Sequence, residues 1–142
     1  IKGREEDKPL IQLLAKPSDI KKYTRDVIPD NLLSCWPGAL TIIVHTFAKD
    51  GNFKTTGFRC PGDEWLRNVI SICGAPIYST SVNKSGFPVI GNVTDIKKEF
   101  GKDVDLIVDD GDKYQGRPST IVKIHEDGSL EVIRQGDVVV DI

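Results

Sequence analysis

The residues with the greatest capacity for binding chemistry form a polar loop after a short apolar strand. Where a buried strand would normally continue, the segment from Ile77 to Pro88 carries hydroxyl and amide side chains, namely Ser79, Thr80, Ser81, Asn83 and Ser85. Such groups supply hydrogen-bond donors and acceptors with little bulk to block a ligand. Gly86 can adopt backbone angles closed to other residues, and Pro88 stiffens the exit of the loop. The stretch is typical either of an ordinary polar turn or of a ligand-binding loop.

Cationic side chains near the start of the chain form a second candidate group. Lys2 and Arg4 are separated by one glycine, and Lys8 follows shortly after. Two cations so spaced can converge on one triphosphate, Arg through its planar fork and Lys as a point charge. The alternative is a solvated, charged loop with no ligand.

The remaining candidate binding residues are Arg59 within a strand and the polar residues at the ends of two hairpin strands. Arg59 stands in an otherwise apolar strand, Thr-Gly-Phe-Arg-Cys-Pro. There it either clamps a carboxylate through a bidentate pair or emerges at a sheet edge. Ser119 and Thr120 begin one strand of a predicted hairpin, and Arg134 ends the other strand. A strand-end arginine is equally typical of a solvated tip.

No motif for a nucleophile or a metal is visible. The sequence lacks a G-x-S-x-G elbow and a G-x-x-x-x-G-K-[ST] loop. His45, His125 and the three cysteines do not show the clustered spacing of zinc sites, so no metal-ligating residue is assigned. Any chemistry would therefore rest on positioning charged substrates.

The elements that must position these residues alternate between strands and helices. The predicted strands cover residues 9–14, 40–47, 55–60, 77–81, 106–109, 119–125 and 130–134. The predicted helical segments cover residues 18–23, 29–35, 63–73 and 94–100, with Ser18 and Thr94 as N-caps and Gly74 as a C-cap. This order predicts the α/β class, a twisted mixed sheet flanked by helices in one domain over residues 1–142.

Composition favours a soluble globular protein. The chain has 142 residues, of which 39% are hydrophobic and 28% charged. No apolar run approaches the ~18 residues that a membrane span needs. An odd number of unclustered cysteines suits a reducing compartment, so we expect the cytoplasm. The start at Ile1 and the absence of methionine predict that an N-terminal part is missing.

Charge is unevenly distributed along the chain. The net charge is −2, yet the first 25 residues hold seven basic against four acidic side chains. A local positive segment on an acidic protein indicates a phosphate or nucleotide partner more than a long nucleic acid, which usually requires a basic face.

Five short motifs in this order resemble the YrdC/Sua5 family over essentially the whole chain. They are Lys2-Gly-Arg4 with Lys8-Pro9-Leu10, then Trp36-Pro37-Gly38, then Phe58-Arg59-Cys60-Pro61, then residues 79–86, and finally Ser119-Thr120-Ile121-Val122 ahead of Arg134-Gln135-Gly136. The family's enzymes are threonylcarbamoyl-AMP synthases, which are ATP-dependent nucleotidyltransferases. They join L-threonine, bicarbonate and ATP into threonylcarbamoyl-adenylate and release pyrophosphate, and the product feeds the t6A modification of tRNA at position 37.

The resemblance also implies a YrdC-like (YrdC/RibB-type) fold, a positively charged cavity and a role for each matched residue. The residues expected to bind ATP are Lys2, Arg4, Lys8, Thr55, Ser81, Asn83 and Arg134. Those expected to bind threonine are Ser79, Ser119 and Arg59, with Arg59 as the carboxylate clamp. No side chain is assigned a covalent catalytic role, because Lys2, Arg4 and Arg59 would act by positioning. Mg²⁺ is expected to accompany the triphosphate, and t6A-transfer proteins are expected to take the product.

The chain departs from the family pattern at several points. Leu13 stands where the family often has histidine, Val89 where it often has serine, and Val82 where alanine is usual. The family's opening strand-helix-strand, which contributes to the threonine site, is absent, as is the extra C-terminal domain of Sua5. Two alternatives follow: a chain that is inactive by itself, or a fragment of a longer protein.

Two other functions compete with the synthase. The basic start of the chain favours a module that binds tRNA or double-stranded RNA without catalysis, with affinity that falls as salt rises. An aromatic content of 7% without basic-aromatic alternation disfavours stacking on single strands. The third alternative is a domain similar to the carbamoyl-transfer module of hydrogenase maturation proteins, but the zinc-finger-like cysteines that accompany that module are not seen.

Overall fold

The computed structural model describes residues 10–112 and 116–142. Within them the chain forms two compact units. The first, called here the sheet unit, comprises residues 10–79 and 117–142. The second, called the loop unit, comprises residues 80–112 with residue 116. The predicted Lys2, Arg4 and Lys8 group lies outside the described residues.

A six-stranded mixed sheet forms the body of the sheet unit. Its strands are β1 Ile11–Leu13, β2 Leu40–Phe47, β3 Phe53–Arg59, β4 Ile77–Ser79, β5 Thr120–Ile124 and β6 Leu130–Arg134. Their order across the sheet is β4-β1-β3-β2-β5-β6. The pairs β1–β3 and β2–β5 are parallel, and the remaining neighbours are antiparallel. The structure thus confirms the predicted mixed sheet of the α/β class.

The hydrophobic core lies on one face of this sheet. Alternate residues of β2, namely Leu40, Ile42 and Val44, are fully buried, as expected for side chains that point to a covered face. The core also takes in Ile20 from a 3-10 helix, Pro17–Lys22, and Leu32 from the short helix α1, Asp30–Leu33. These connections cover the sheet because they bring apolar side chains to it, although neither is a long helix.

Two longer helices follow the predicted pattern. Helix α2 spans Glu64–Cys73; the Asp63 side chain accepts a hydrogen bond from the Leu66 N–H at 3.1 Å, and Gly74 ends the helix at a φ of 74°. Helix α3 spans Val93–Phe100 in the loop unit. None of the helices in the described part of the chain is long and apolar enough to cross a membrane.

Both predicted N-caps were wrong. Asn92 caps α3, where its side chain accepts from the Asp95 N–H at 2.7 Å, so Thr94 lies inside the first turn. The segment after β1 is a 3-10 helix whose N-cap is Lys16, with no side-chain cap. Pro17 takes the first helical position there, which suits its fixed φ and missing N–H and moves the boundary ahead of Ser18.

The predicted strand over residues 106–109 does not form. This stretch has no secondary structure, and the Leu106 and Val108 side chains are exposed. A run of three apolar residues resembles a short strand, but a strand also needs a neighbouring strand to complete its hydrogen bonds. Among the described residues no neighbour pairs with it. The strand predicted over residues 77–81 likewise ends at Ser79.

Candidate functional site

The candidate residues of the sheet unit occupy the face opposite the core. Along β3, Thr56 and Phe58 are buried on the core side, so Thr55, Gly57 and Arg59 point to the other face. We call this the Arg59 face. It includes the cross-strand partners of these residues, since residues directly opposite each other on neighbouring strands share a face.

Arg59 is half-buried, and its side chain is incompletely bonded. It ends β3 between Leu13 on β1 and Thr41 on β2. Its Nε atom is buried and has no hydrogen-bond partner among the described residues. Leu13 is apolar, and the Thr41 hydroxyl is engaged elsewhere, so neither strand neighbour satisfies the guanidinium. Burial lowers the pKa of Arg59 from its ordinary value.

Ser119 contacts the side chains of Thr41 and Arg134. Ser119 immediately precedes β5 and is 4% exposed. Its Oγ is 2.6 Å from Thr41 Oγ1 and 3.4 Å from Arg134 Nη2, and its carbonyl accepts from Arg134 Nε at 2.9 Å. Thr41 stands opposite Arg59 on the neighbouring strand, so it links the position of Arg59 to Ser119 and Arg134, which lie two and three strands away on the same face.

A close backbone approach fixes the start of β5. A Cβ on Gly136 would lie 2.6 Å from the Pro118 carbonyl oxygen and 2.7 Å from the Thr120 nitrogen. The Gly136 N–H donates to Thr120 Oγ1 at 2.9 Å, and that hydroxyl donates to the Val138 carbonyl at 2.7 Å. The Arg-Gln-Gly motif therefore holds Ser119 in place as well as supplying Arg134.

Ser79 and Thr55 also share the Arg59 face, each at some distance from Arg59. Ser79 ends β4 opposite Ile11 of β1, two strands from Arg59, which is about 10 Å across a sheet. Thr55 is exposed and lies four residues before Arg59, about 13 Å along β3. The structure therefore spreads the predicted residues over one face and does not gather them at one point.

The loop unit carries the other described candidates. Ser81 Oγ donates to Asn83 Oδ1 at 2.6 Å, and Asn83 Nδ2 donates to the Phe87 carbonyl at 2.6 Å. A backbone hydrogen bond from Ile90 to Val82 closes the same loop at 2.8 Å. These contacts order the polar loop by its own side chains, as in a compact surface loop.

A groove of about 380 Å³ lies elsewhere in the sheet unit, between the 3-10 helix and α2. Charged side chains line it, among them Lys16, Asp19, Lys22 and Arg67. Of the predicted site residues that the structure describes, none lines this groove. In the described ranges, no group of three or more His, Cys, Asp or Glu side chains is placed to hold a metal ion.

Thr41 is the member of this arrangement that the sequence analysis missed. It lies within the predicted strand of residues 40–47, and it is 1% exposed. The available signal was a hydroxyl in an apolar run, because a buried hydroxyl needs a hydrogen-bond partner.

Comparison with known proteins links these motifs to one family. The family profile named Sua5/YciO/YrdC, described as “Telomere recombination”, matches residues 1–136. A putative threonylcarbamoyl-AMP synthase of Methanocaldococcus jannaschii is 34% identical, with 96% of this chain and 66% of the relative covered. The threonylcarbamoyl-AMP synthases of Bos taurus and Homo sapiens are 29% and 28% identical, with 96% of this chain and 53% of each relative covered. The chain thus spans between half and two thirds of the length of these relatives.

Solved structures share the fold. Pyrococcus abyssi Sua5 matches with a TM-score of 0.79 at 25% identity, covering 94% of this chain and 43% of that protein. The same protein complexed with L-threonine matches with a TM-score of 0.74 at 25% identity, over 86% of this chain and 38% of that protein. Escherichia coli YciO has a TM-score of 0.79 at 22% identity, over 96% of this chain and 70% of YciO, which supports the fold alone. With the ordered motifs, the fold and the profile in agreement, this chain belongs to the Sua5/YciO/YrdC family.

Proposed function

We propose that the protein carrying this chain is a threonylcarbamoyl-AMP synthase. It would join L-threonine, bicarbonate and ATP into threonylcarbamoyl-adenylate, release pyrophosphate and supply the t6A modification of tRNA. The names of the relatives support this proposal, as does the L-threonine complex of P. abyssi Sua5. The observation that carries it is the half-buried Arg59, whose Nε has no hydrogen-bond partner within residues 10–112 and 116–142, next to the Thr41–Ser119–Arg134 hydrogen bonds.

The threonine site centres on Arg59. A buried guanidinium N–H without an acceptor costs free energy, and a bidentate carboxylate is the ligand that removes this cost. The carboxylate of an amino acid fits this requirement. Ser119 would contribute a hydroxyl beside the same ligand, and Ser79 would approach from the β4 side of the Arg59 face.

The reaction needs no nucleophile from the protein. The threonine amine adds to the carbon of CO₂ or bicarbonate and forms a carbamate, with loss of water from bicarbonate. A carbamate oxygen then attacks the α-phosphorus of ATP, and the bond to the β-phosphate oxygen breaks as pyrophosphate leaves. The protein would hold the three reactants in line and neutralise the charge that develops on phosphate.

ATP would be held by cations and hydroxyls from several segments. We assign to it Thr55, Arg134, Ser81 and Asn83, and we keep Lys2, Arg4 and Lys8 for the triphosphate. The described side chains do not fit a metal site of the protein's own, so Mg²⁺ would enter as part of the nucleotide substrate. The triphosphate oxygens would then be its ligands.

The wider assignments follow from the same proposal. We treat residues 1–142 as one YrdC-like domain, which the family match over both compact units supports. The free thiols Cys35, Cys60 and Cys73 support a reducing compartment such as the cytoplasm. The synthase is favoured over an RNA-binding module because the relatives are named as synthases.

The direct test is product formation. The purified protein is incubated with ATP, L-threonine and bicarbonate, and pyrophosphate and threonylcarbamoyl-adenylate are quantified together. We expect equal amounts of both, and neither when threonine or bicarbonate is omitted. Pyrophosphate release that does not depend on threonine would contradict the proposal, and so would a complete mixture that yields no adenylate.

A further inference from the structure

Thr41 places a hydroxyl inside an otherwise apolar strand. It is 1% exposed, between the fully buried Leu40 and Ile42 of β2. Its Oγ1 lies 2.6 Å from Ser119 Oγ. Within the described part of the chain, Ser119 is the one hydrogen-bond partner of the Thr41 hydroxyl. Such a contact across 78 residues joins the centre of the sheet to the start of β5.

The direction of this hydrogen bond depends on whether a ligand accepts a hydrogen bond from Ser119. A buried hydroxyl hydrogen without an acceptor forfeits the hydrogen bond that it made to water. Ser119 Oγ is the acceptor that the structure offers to Thr41. Ser119 is also buried, so without a ligand either hydroxyl can be the donor. When a ligand oxygen accepts from Ser119, the Thr41 hydrogen keeps its acceptor only if Thr41 donates and Ser119 accepts.

The remaining capacity of Ser119 is then a donor. A hydroxyl has two lone pairs and one hydrogen. In the ligand-bound arrangement Ser119 Oγ accepts from Thr41 and, at 3.4 Å, from Arg134 Nη2, because a guanidinium has no lone pair to offer. Both lone pairs are then engaged, and among the described residues no other acceptor competes for the Ser119 O–H, which is available to the ligand. A group in this state prefers an acceptor oxygen over an ammonium.

Arg59, the cross-strand neighbour of Thr41, also favours a ligand with an acceptor oxygen. Thr41 stands opposite Arg59, whose buried Nε–H also lacks an acceptor among the described residues. Leu13 on the other side of Arg59 is apolar and offers none. Ser119 and Arg59 thus stand on either side of Thr41 on the same face, so an acceptor oxygen bound over Thr41 would lie between two donor groups.

We propose that Thr41 is a positioning residue that fixes Ser119 as a hydrogen-bond donor to the carboxylate of the bound amino acid. The inference rests on the proposed function, because that function makes Ser119 part of the threonine site. Thr41 itself does not touch the ligand and acts through Ser119.

The test compares Thr41→Val with Thr41→Ser by calorimetric titration of the purified protein with L-threonine. Valine keeps the shape of threonine without its hydroxyl, whereas serine keeps the hydroxyl. We expect Thr41→Val to raise the Kd for L-threonine about tenfold, the scale of one lost hydrogen bond to a charged group, and Thr41→Ser to change it by less than about twofold. ATP affinity should stay within about twofold in both variants. If Thr41→Val fails to fold by circular dichroism, Thr41→Cys, whose thiol is a weak donor, replaces it.

A double-mutant cycle separates positioning from a general structural effect. In a Ser119→Ala background, Thr41→Val should cause no further loss of L-threonine affinity, since the hydroxyl that it orients is gone. An undiminished tenfold loss in that background would overturn the inference, and so would wild-type affinity of Thr41→Val by itself. Wild-type protein that does not bind L-threonine would instead contradict the proposed function, and the inference would fall with it.

Discussion

At the scale of residues, the account depends on the environment of Arg59. Burial lowers the pKa of Arg59 from its ordinary value, because removal from water disfavours the charged form. A partly buried cation with an unpartnered N–H is costly in the free protein. An amino-acid carboxylate would supply both the missing charge and the missing acceptor.

Removing this side chain should affect one substrate far more than the other. We expect Arg59→Ala to raise the Kd for L-threonine by at least ~30-fold, since truncating one partner of a buried charge pair costs about 2 kcal/mol or more. The Kd for ATP should change by less than about threefold. Arg59→Lys should give an intermediate loss, because lysine keeps the charge without the planar fork. Calorimetric titration measures each value.

A matched arginine provides the control. Arg67 on α2 donates from Nη1 to the Pro61 carbonyl at 2.8 Å and is not among the proposed site residues. Arg67→Ala should leave threonine affinity unchanged. Equal losses of threonine and ATP affinity in Arg59→Ala would show that Arg59 supports the fold and does not clamp the substrate.

The sequence made some of these residues recognisable and not others. Arg59 was recognisable because a cation interrupts an apolar strand. Ser119 was recognisable because it begins the Ser119-Thr120-Ile121-Val122 motif at a strand start. Thr41 did not stand out, since its role depends on a hydroxyl 78 residues away. Strand periodicity predicts which face a side chain takes, but it does not predict the strand order that brings β2 beside β5.

At the scale of elements, glycine substitutions test how β5 and β6 are held. Gly136→Ala would force a Cβ to within 2.6 Å of the Pro118 carbonyl oxygen, where backbone must move. We expect it to lower the free energy of unfolding by about 1–3 kcal/mol, the usual cost of overpacking. Gly57→Ala is the control, because its Cβ would meet Thr41 Cγ2 at 3.4 Å, an ordinary contact. Urea denaturation should show Gly57→Ala within about 1 kcal/mol of the parent.

The start of α3 offers a second test. Asn92→Ala removes a side-chain cap that accepts from the Asp95 N–H, and should lower the free energy of unfolding by about 1 kcal/mol. Thr94→Ala alters an exposed residue within the first turn and should change stability by less than about 0.5 kcal/mol. Thermal unfolding followed by circular dichroism compares the two. A larger loss of unfolding free energy in Thr94→Ala than in Asn92→Ala would show that Thr94 is the N-cap of α3.

Element predictions succeeded where periodicity and caps agreed. The β-branched run of β2, the apolar spacing of α2 with Gly74 behind it, and the turn between β5 and β6 all gave the correct element. The prediction failed at residues 106–109, since a short apolar run does not reveal whether a partner strand exists. It also misplaced the N-caps of two helical segments by two residues each. Ser18 and Thr94 are residue types that favour N-caps, but both lie inside the first turn.

At the scale of the whole molecule, the proposed substrate groups fall in different parts of the chain. Arg59, Ser79 and Ser119 belong to the sheet unit, whereas Ser81 and Asn83 belong to the loop unit. Lys2, Arg4 and Lys8 lie outside the described residues. The family profile nevertheless runs from residue 1 to residue 136. The informative quantity is therefore the effect of one substrate on the affinity for the other.

The most direct measurement of the central claim is calorimetric titration of the chain with ATP, with and without saturating L-threonine. We expect that ATP binds and that threonine lowers its Kd, because the proposed reaction requires both substrates to be bound at once. Linkage then requires ATP to strengthen threonine binding by the same factor. An absence of ATP binding in both titrations, or an ATP affinity that threonine leaves unchanged, would contradict the account.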